Sequence, residues 1–156
     1  AIRPYAKSAI ELLEQLKQSE RQRKVLQAEQ ARIEARRLVA EGQDINGVKF
    51  VTATIKHADR ELLATMADAV TRSLQQDGVV LLASSDGPAQ VSFVMATTHD
   101  LATRIHAGNL LKAISPLTQG SGGGRPEFAQ AGGKDPSGIP AALKRAEELV
   151  REALQG

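Results

Sequence analysis

The residues of this chain best suited to chemistry are its glycines and the cations beside them. In residues 119–140, QGSGGGRPEFAQAGGKDPSGIP, Gly120, Gly122, Gly123 and Gly124 come almost in succession, and Gly132, Gly133 and Gly138 follow. Glycine reaches φ > 0 freely and lacks a Cβ, so such a run lets the backbone come close to a ligand or to another backbone. Successive N–H groups in turns of that kind form anion-binding nests. Arg125 and Lys134 are cations that suit a phosphate. The plainer reading is a flexible Gly/Ser-rich linker. Against it stand Arg125, Pro126, Phe128, Ala129 and Gln130, set between the two glycine clusters. A linker has no use for an aromatic ring and a rigid proline there, and an ordered binding loop does.

Catalytic residue patterns are scarce. The three histidines, His57, His99 and His106, form no HxxxH or HExxH pair. There is no GxSxG, and GSGGGRP lacks the Gly-Lys-Ser/Thr that ends a P-loop. Ser84-Ser85-Asp86 falls at a predicted hairpin turn with no histidine nearby in sequence. The chain has no cysteine, which excludes disulfides and thiolate metal sites and suits a reducing compartment. Catalysis and metal binding are therefore not expected, and a binding surface remains. Gly108, inside a predicted helix, costs roughly 1 kcal/mol against alanine, which calls for a compensating close approach. Arg104, Asn109 and Lys112 lie near it in sequence. Together with Gly122, Gly123, Gly124, Arg125, Gln130 and Lys134 they are expected to converge on one phosphate-binding face. The aromatics are only Tyr5, Phe50, Phe93 and Phe128, too few for base stacking along a single strand. Reading of a folded RNA by shape and backbone fits better.

The charge distribution points the same way. Residues 1–41 carry nine Lys/Arg against six Glu, while the remainder is close to neutral. Within that remainder, residues 104–134 hold four cations and the single acid Glu127. Two local basic patches on a chain of net charge +2 suggest a localised polyanion contact rather than a general nucleic-acid coat. The second patch is Arg21, Arg23, Lys24, Arg32, Arg36 and Arg37. On a helix it either lies along a phosphate backbone or is simply a solvated face.

The elements that must position these residues follow from periodicity. Residues 4–41 contain no internal Gly or Pro and read as one helix, with Pro4 in its first turn and Gly42 as its stop. At about 1.5 Å per residue it is a rod of about 57 Å, too long to be buried along its length. Tyr5, Leu12, Leu26, Ile33 and Ala40 recur at seven-residue steps broken by Ser19, and the second seam positions are Arg23, Gln30 and Arg37, so a strong coiled coil is not expected. Residues 43–47 read as a polar hinge. Strands are predicted over residues 48–55, 79–83 and 91–96. A helix capped by Asp59 carries Leu62, Leu63, Met66, Val70 and Leu74. A further helix carries Leu101, Ile105, Leu110, Leu111 and Ile114 and ends at Pro116, and Pro140 opens the last. The predicted class is α+β: a long N-terminal helix (1–42), then a small mixed-sheet domain with packed helices and the glycine-rich loop (43–156). No apolar run is long enough to span a membrane, and charges interrupt the N-terminus throughout, unlike a signal peptide. The start at Ala1 suggests a fragment of a larger protein.

The wording GGGRPEFAQAGG resembles the signature of the C-terminal domain of alanyl-tRNA synthetases, a glycine-rich domain shared with DHH phosphoesterases. The match covers Gly122, Gly123, Gly124, Arg125, Pro126, Ala129, Gln130, Gly132 and Gly133. In the phosphoesterase branch the triple glycine is typically followed by His, so Arg125-Pro126 points to the synthetase branch. The resemblance implies a cytoplasmic, non-catalytic domain that binds the elbow of tRNA and helps couple aminoacylation to editing, with self-association in some members. No cofactor is implied for this stretch. ATP and zinc would belong to the missing parts of the parent ligase. Two other readings stay open: an oligomerisation module using the long helix or a sheet edge, and the substrate-binding half of a DHH phosphoesterase.

Overall fold

The computed structural model describes residues 4–155. Helix α1 spans Pro4–Glu41, as its uninterrupted run of helix formers requires, and Gly42 closes it by donating to the Val39 carbonyl at 3.2 Å. Residues 7–26 are exposed throughout, and only the last third of α1 is packed. There Ala31, Ala35 and Leu38 are buried against helix α2, Arg60–Leu74, and the sheet. Asp59 caps α2 as predicted, its carboxylate accepting from the Leu62 N–H at 2.8 Å.

The sheet has six strands: β1 (Gln43–Ile45), β2 (Val48–Lys56), β3 (Gly78–Ser85), β4 (Val91–Thr97), β5 (Ser121–Gly124) and β6 (Phe128–Gly133). Their spatial order is β1-β2-β3-β4-β6-β5. β2 and β3 are parallel, joined through α2, and every other pairing is antiparallel. Residues 43–47, read from sequence as a hinge, are β1 and a tight turn. Asn46 (φ 50°) and Gly47 (φ 85°) make the turn that pairs Ile45 with Val48.

The sheet divides the core into two layers by strand alternation. Val79, Leu81 and Ala83 of β3, with Phe93 and Met95 of β4 and Ala129 and Ala131 of β6, pack on helices α3 (Ala107–Ile114) and α4 (Ile139–Gln155). Val80, Leu82, Val94 and Ala96 pack on α1 and α2. The helix predicted to carry Leu101 through Ile114 is shorter than its apolar spacing suggests. Leu101 and Ile105 are buried, but they sit on a 3-10 turn (His99–Leu101) and the turn after it. The backbone extends at His106 (φ −99°, ψ 106°) before α3 begins. Pro116 lies in a further 3-10 turn, Ser115–Thr118. Among the described residues no helix is long and apolar enough to cross a membrane.

Candidate nucleic-acid interface

The glycine-rich stretch is a β-hairpin at the sheet edge, which corrects the expectation of a loop. β5 pairs with β6 in register Gly122↔Ala131, Gly123↔Gln130 and Gly124↔Ala129. The Arg125 N–H donates to the Phe128 carbonyl at 2.9 Å, which closes a two-residue turn of Pro126 and Glu127. The glycines are needed for room, not for positive φ. The positive-φ glycines among the described residues are Gly47 and Gly87, so no anion nest forms from the hairpin glycines. A Cβ on Gly122 would stand 2.5 Å from the Gln130 carbonyl oxygen, and one on Gly124 would stand 2.7 Å from the Ala129 Cα. β5 thus lies too close to β6 for side chains at those positions.

The hairpin tip is docked on the start of α3. Ala107 and Gly108 N–H groups donate to the Pro126 and Arg125 carbonyls at 3.0 and 3.2 Å. A Cβ on Gly108 would come within 2.8 Å of the Gly124 nitrogen, which is the close approach that its place in a helix implied. The Asn109 N–H is capped by His106 Nδ1 at 3.1 Å. The donors of this helix end therefore hold the tip, and none of these N–H groups is free for a ligand. From the opposite side, Thr97 N–H donates to the Glu127 carbonyl at 2.9 Å, and His99 Nδ1 lies 2.7 Å from Glu127 Oε1.

Around this tip the structure brings together Lys112 and Arg125, while Asn109 lies in the first turn of α3 and Arg104 in the turn before it. The Lys112 stem runs beside β5, its Cε 2.9 Å from where a Cβ of Gly123 would be. Arg125 borders a small cleft of roughly 220 Å³ with Thr71 and Phe128. Asp68 and Glu127 also line it, Asp68 engaged with Arg72 at 3.1 Å and Glu127 with His99 at 2.7 Å. The side chains of Arg104, Lys112 and Arg125 make no ion pair among the described residues. Lys134 does not join them, contrary to the single face expected from sequence. It follows β6 at the end away from the tip, six residues beyond Phe128, or about 20 Å of strand. Gln130 lies between the two ends, flanked by Ala129 and Ala131, which point into the α3/α4 layer.

The helical patch is uneven. Arg37 is held by Glu34 at 2.6 Å and Glu41 at 3.7 Å, and the Glu34 hydrogen bond raises its already high pKa further. Arg32 and Arg36 line a groove of roughly 510 Å³ between α1 and α2, with Arg72 across it. Arg21, Arg23 and Lys24 are exposed on the unpacked part of α1. Arg60 was not singled out from sequence. It follows the cap Asp59, and only the fold places the start of α2 beside Gly132. Among the described residues no cluster of three His, Asp or Glu is arranged to hold a metal ion.

A two-layered mixed sheet closed by a glycine hairpin on α3 defines the class, and a profile of the DHHA1 domain matches residues 47–152; the chain belongs to that family. Its relatives are more specific. It is 44% identical over 133 residues to the alanine–tRNA ligase of Roseiflexus castenholzii, covering 85% of this chain and 15% of that protein. It is 40% identical over 141 residues to that of Geobacillus kaustophilus, covering 90% of this chain and 16% of the relative. The chain thus spans about one sixth of the length of the curated relatives it matches. The C-Ala domain of Aquifex aeolicus alanyl-tRNA synthetase shares the fold, with TM-score 0.62 and 27% identity over 74% of this chain and 98% of that domain. A DHH domain from the S1p family of ribosomal proteins matches in fold alone, with TM-score 0.53 and 16% identity over 79% of this chain and 31% of that one.

Proposed function

We propose that this chain is the tRNA-binding, non-catalytic C-terminal domain of an alanine–tRNA ligase. In this reading it grips the tRNA elbow by shape and phosphate contacts and helps couple aminoacylation to editing. The observation that carries it is the hydrogen-bonded hairpin tip with Lys112 and Arg125 beside it, neither of them held in an ion pair among the described residues. By contrast, Arg72, Arg145 and Arg151 are matched by acids on their own helices. Unmatched cations on a rigid scaffold favour a polyanion whose counterions they release. Similarity to alanine–tRNA ligases supports tRNA as that polyanion. Ligase chemistry, ATP and zinc are assigned to other parts of the parent protein. The test is a salt series of tRNA binding, with single-stranded DNA and duplex RNA as competitors. Micromolar, salt-dependent binding that neither competitor displaces at equal concentration supports elbow reading. No binding defeats it.

A second reading, self-association through α1, rests on a separate observation. Tyr5, Ile10, Leu12, Leu13, Leu16, Val25, Leu26 and Ile33 are all exposed on that helix. Light scattering across concentrations decides it: a monomer at high micromolar concentration rules it out.

A further inference from the structure

At the end of the hairpin away from the tip lies an open cleft of roughly 580 Å³. Arg60 from the first turn of α2 and Lys134 from the end of β6 line it, with Gln90, Gln119 and Ser121. No carboxylate lines it. Glu61 follows Arg60 in sequence but is not part of the wall. The other two acids adjacent in sequence are engaged elsewhere: Asp59 caps α2 at the Leu62 N–H, and Asp135 accepts from the Ser137 N–H at 3.1 Å and its hydroxyl at 2.5 Å. The side chains of Arg60 and Lys134 make no hydrogen bond or ion pair among the described residues.

The glycine floor explains how the guanidinium is placed. A Cβ on Gly132 would stand 2.6 Å from Arg60 Nη2 and 3.8 Å from its Cζ, so the guanidinium lies against that bare backbone. The floor itself offers few donors, because Gly120 N–H is bonded to the Ser115 carbonyl and Lys134 N–H to the Thr118 carbonyl. A ligand must be held by side chains: a planar fork, an ammonium, a hydroxyl and two amides. A fork and a point charge without a neighbouring acid match a phosphate group.

The geometry points to a phosphate-binding cleft built by Arg60 and Lys134, separate from the tip. It rests on the tRNA reading only for the source of the phosphate, which is either the backbone of the same RNA or a free phosphorylated molecule. A strand of RNA spanning both ends of the hairpin bridges about 20 Å.

The test uses the isotope-labelled chain followed by NMR, titrated first with inorganic phosphate and then with tRNA, in wild type, Arg60→Ala, Lys134→Ala and Gly132→Ala. Gly132→Ala keeps the charge but puts a methyl where the guanidinium rests. Saturable shifts at Gly120, Gly132 and Ser121 are expected with phosphate. Arg60→Ala and Lys134→Ala should each weaken them at least about tenfold, the scale of a charge-assisted hydrogen bond, and Gly132→Ala, which only displaces the guanidinium, should weaken them less. With tRNA, Arg60→Ala should lower the salt slope by about one phosphate contact. Phosphate shifts that survive in all three variants overturn the cleft. Loss in Arg60→Ala with full binding in Gly132→Ala overturns the glycine-seated geometry, since charge alone would then suffice. Should Gly132→Ala fail to fold, the Arg60 and Lys134 variants still decide between cleft and bulk charge. Phosphate binding lost in the variants while tRNA affinity is unchanged keeps the cleft and rejects the RNA backbone as its source. A chain that binds phosphate there but no tRNA at all defeats the proposed function and leaves the cleft standing. An absence of both overturns the two together.

Discussion

At the residue scale, the hairpin depends on bare backbone at a few positions. Gly108 and Gly124 meet where α3 receives the tip, and a methyl on Gly108 has backbone, not a flexible side chain, to displace. Gly108→Ala is therefore expected to destabilise the chain by about 1–3 kcal/mol, the cost of overpacking, although alanine is the better helix former. Urea denaturation measures it; an unchanged or raised midpoint would mean that the tip is not seated as described. The oddity of a glycine in a helix was legible in the sequence, whereas its partner sixteen positions away was not, because no local pattern records which backbone approaches which. A second residue makes a pH prediction. Asp100 is held below the usual carboxylate range by the Thr98 hydroxyl, aided by the Asp77 N–H at 3.0 Å. Its folded pKa is depressed, so its contribution is present at neutral pH and is lost as pH falls through the folded pKa, below the usual value of about 3.9. Asp100 is exposed, so the effect is small. Asp100→Asn should lower stability slightly at pH 7, and the gap to wild type should close on acidification. A gap that persists at low pH would contradict this.

At the scale of elements, α1 does two jobs along one rod. Its packed end meets α2 through Ala31 and Ala35, whose small size sets how near the helices lie. Ala35→Leu is expected to cost about 1–3 kcal/mol by overpacking. Leu26→Ala, at a position 61% exposed, should stay within about 0.5 kcal/mol. Thermal or urea unfolding of the two variants separates them, and equal losses would show that the unpacked part of α1 is buried in solution. Both ends of α1 were readable from Pro4, Gly42 and the absence of breakers between. Its orientation was not: the seven-residue stripe is the solvent side, with Ile33 66% exposed between buried Ala31 and Ala35. Hydrophobic spacing marks a face, and tertiary packing chose a different one built of alanines. β1 escaped notice because three residues, Gln43, Asp44 and Ile45, are too short to show alternation. α3 was read too long because Leu101 and Ile105 keep helical spacing through a turn in which Ile105 N–H still donates to the Leu101 carbonyl at 2.8 Å.

At the scale of the whole molecule, the fold separates cations that sequence proximity had grouped. Arg125 and Lys134 are nine positions apart in the chain but at opposite ends of a strand, while Arg60 joins Lys134 from another element. The site was legible as residue types, and its division into a tip and a cleft came only from topology. The helical patch differs from both in kind. Its cations sit on a freely solvated rod, where contacts with phosphates are individually weak and screened by salt. The tip holds Arg125 on backbone fixed by hydrogen bonds from α3, β4 and β6, so less ordering is needed on binding. The most direct test of this account is a tRNA titration of Arg125→Ala and Arg23→Ala at matched salt. Arg125→Ala should weaken binding by about 1–3 kcal/mol, the scale of a hydrogen bond to a charged group, and Arg23→Ala by well under 1 kcal/mol. Equal losses, or a larger loss from Arg23→Ala, would make the rod the RNA-binding surface and the glycine hairpin a structural element only.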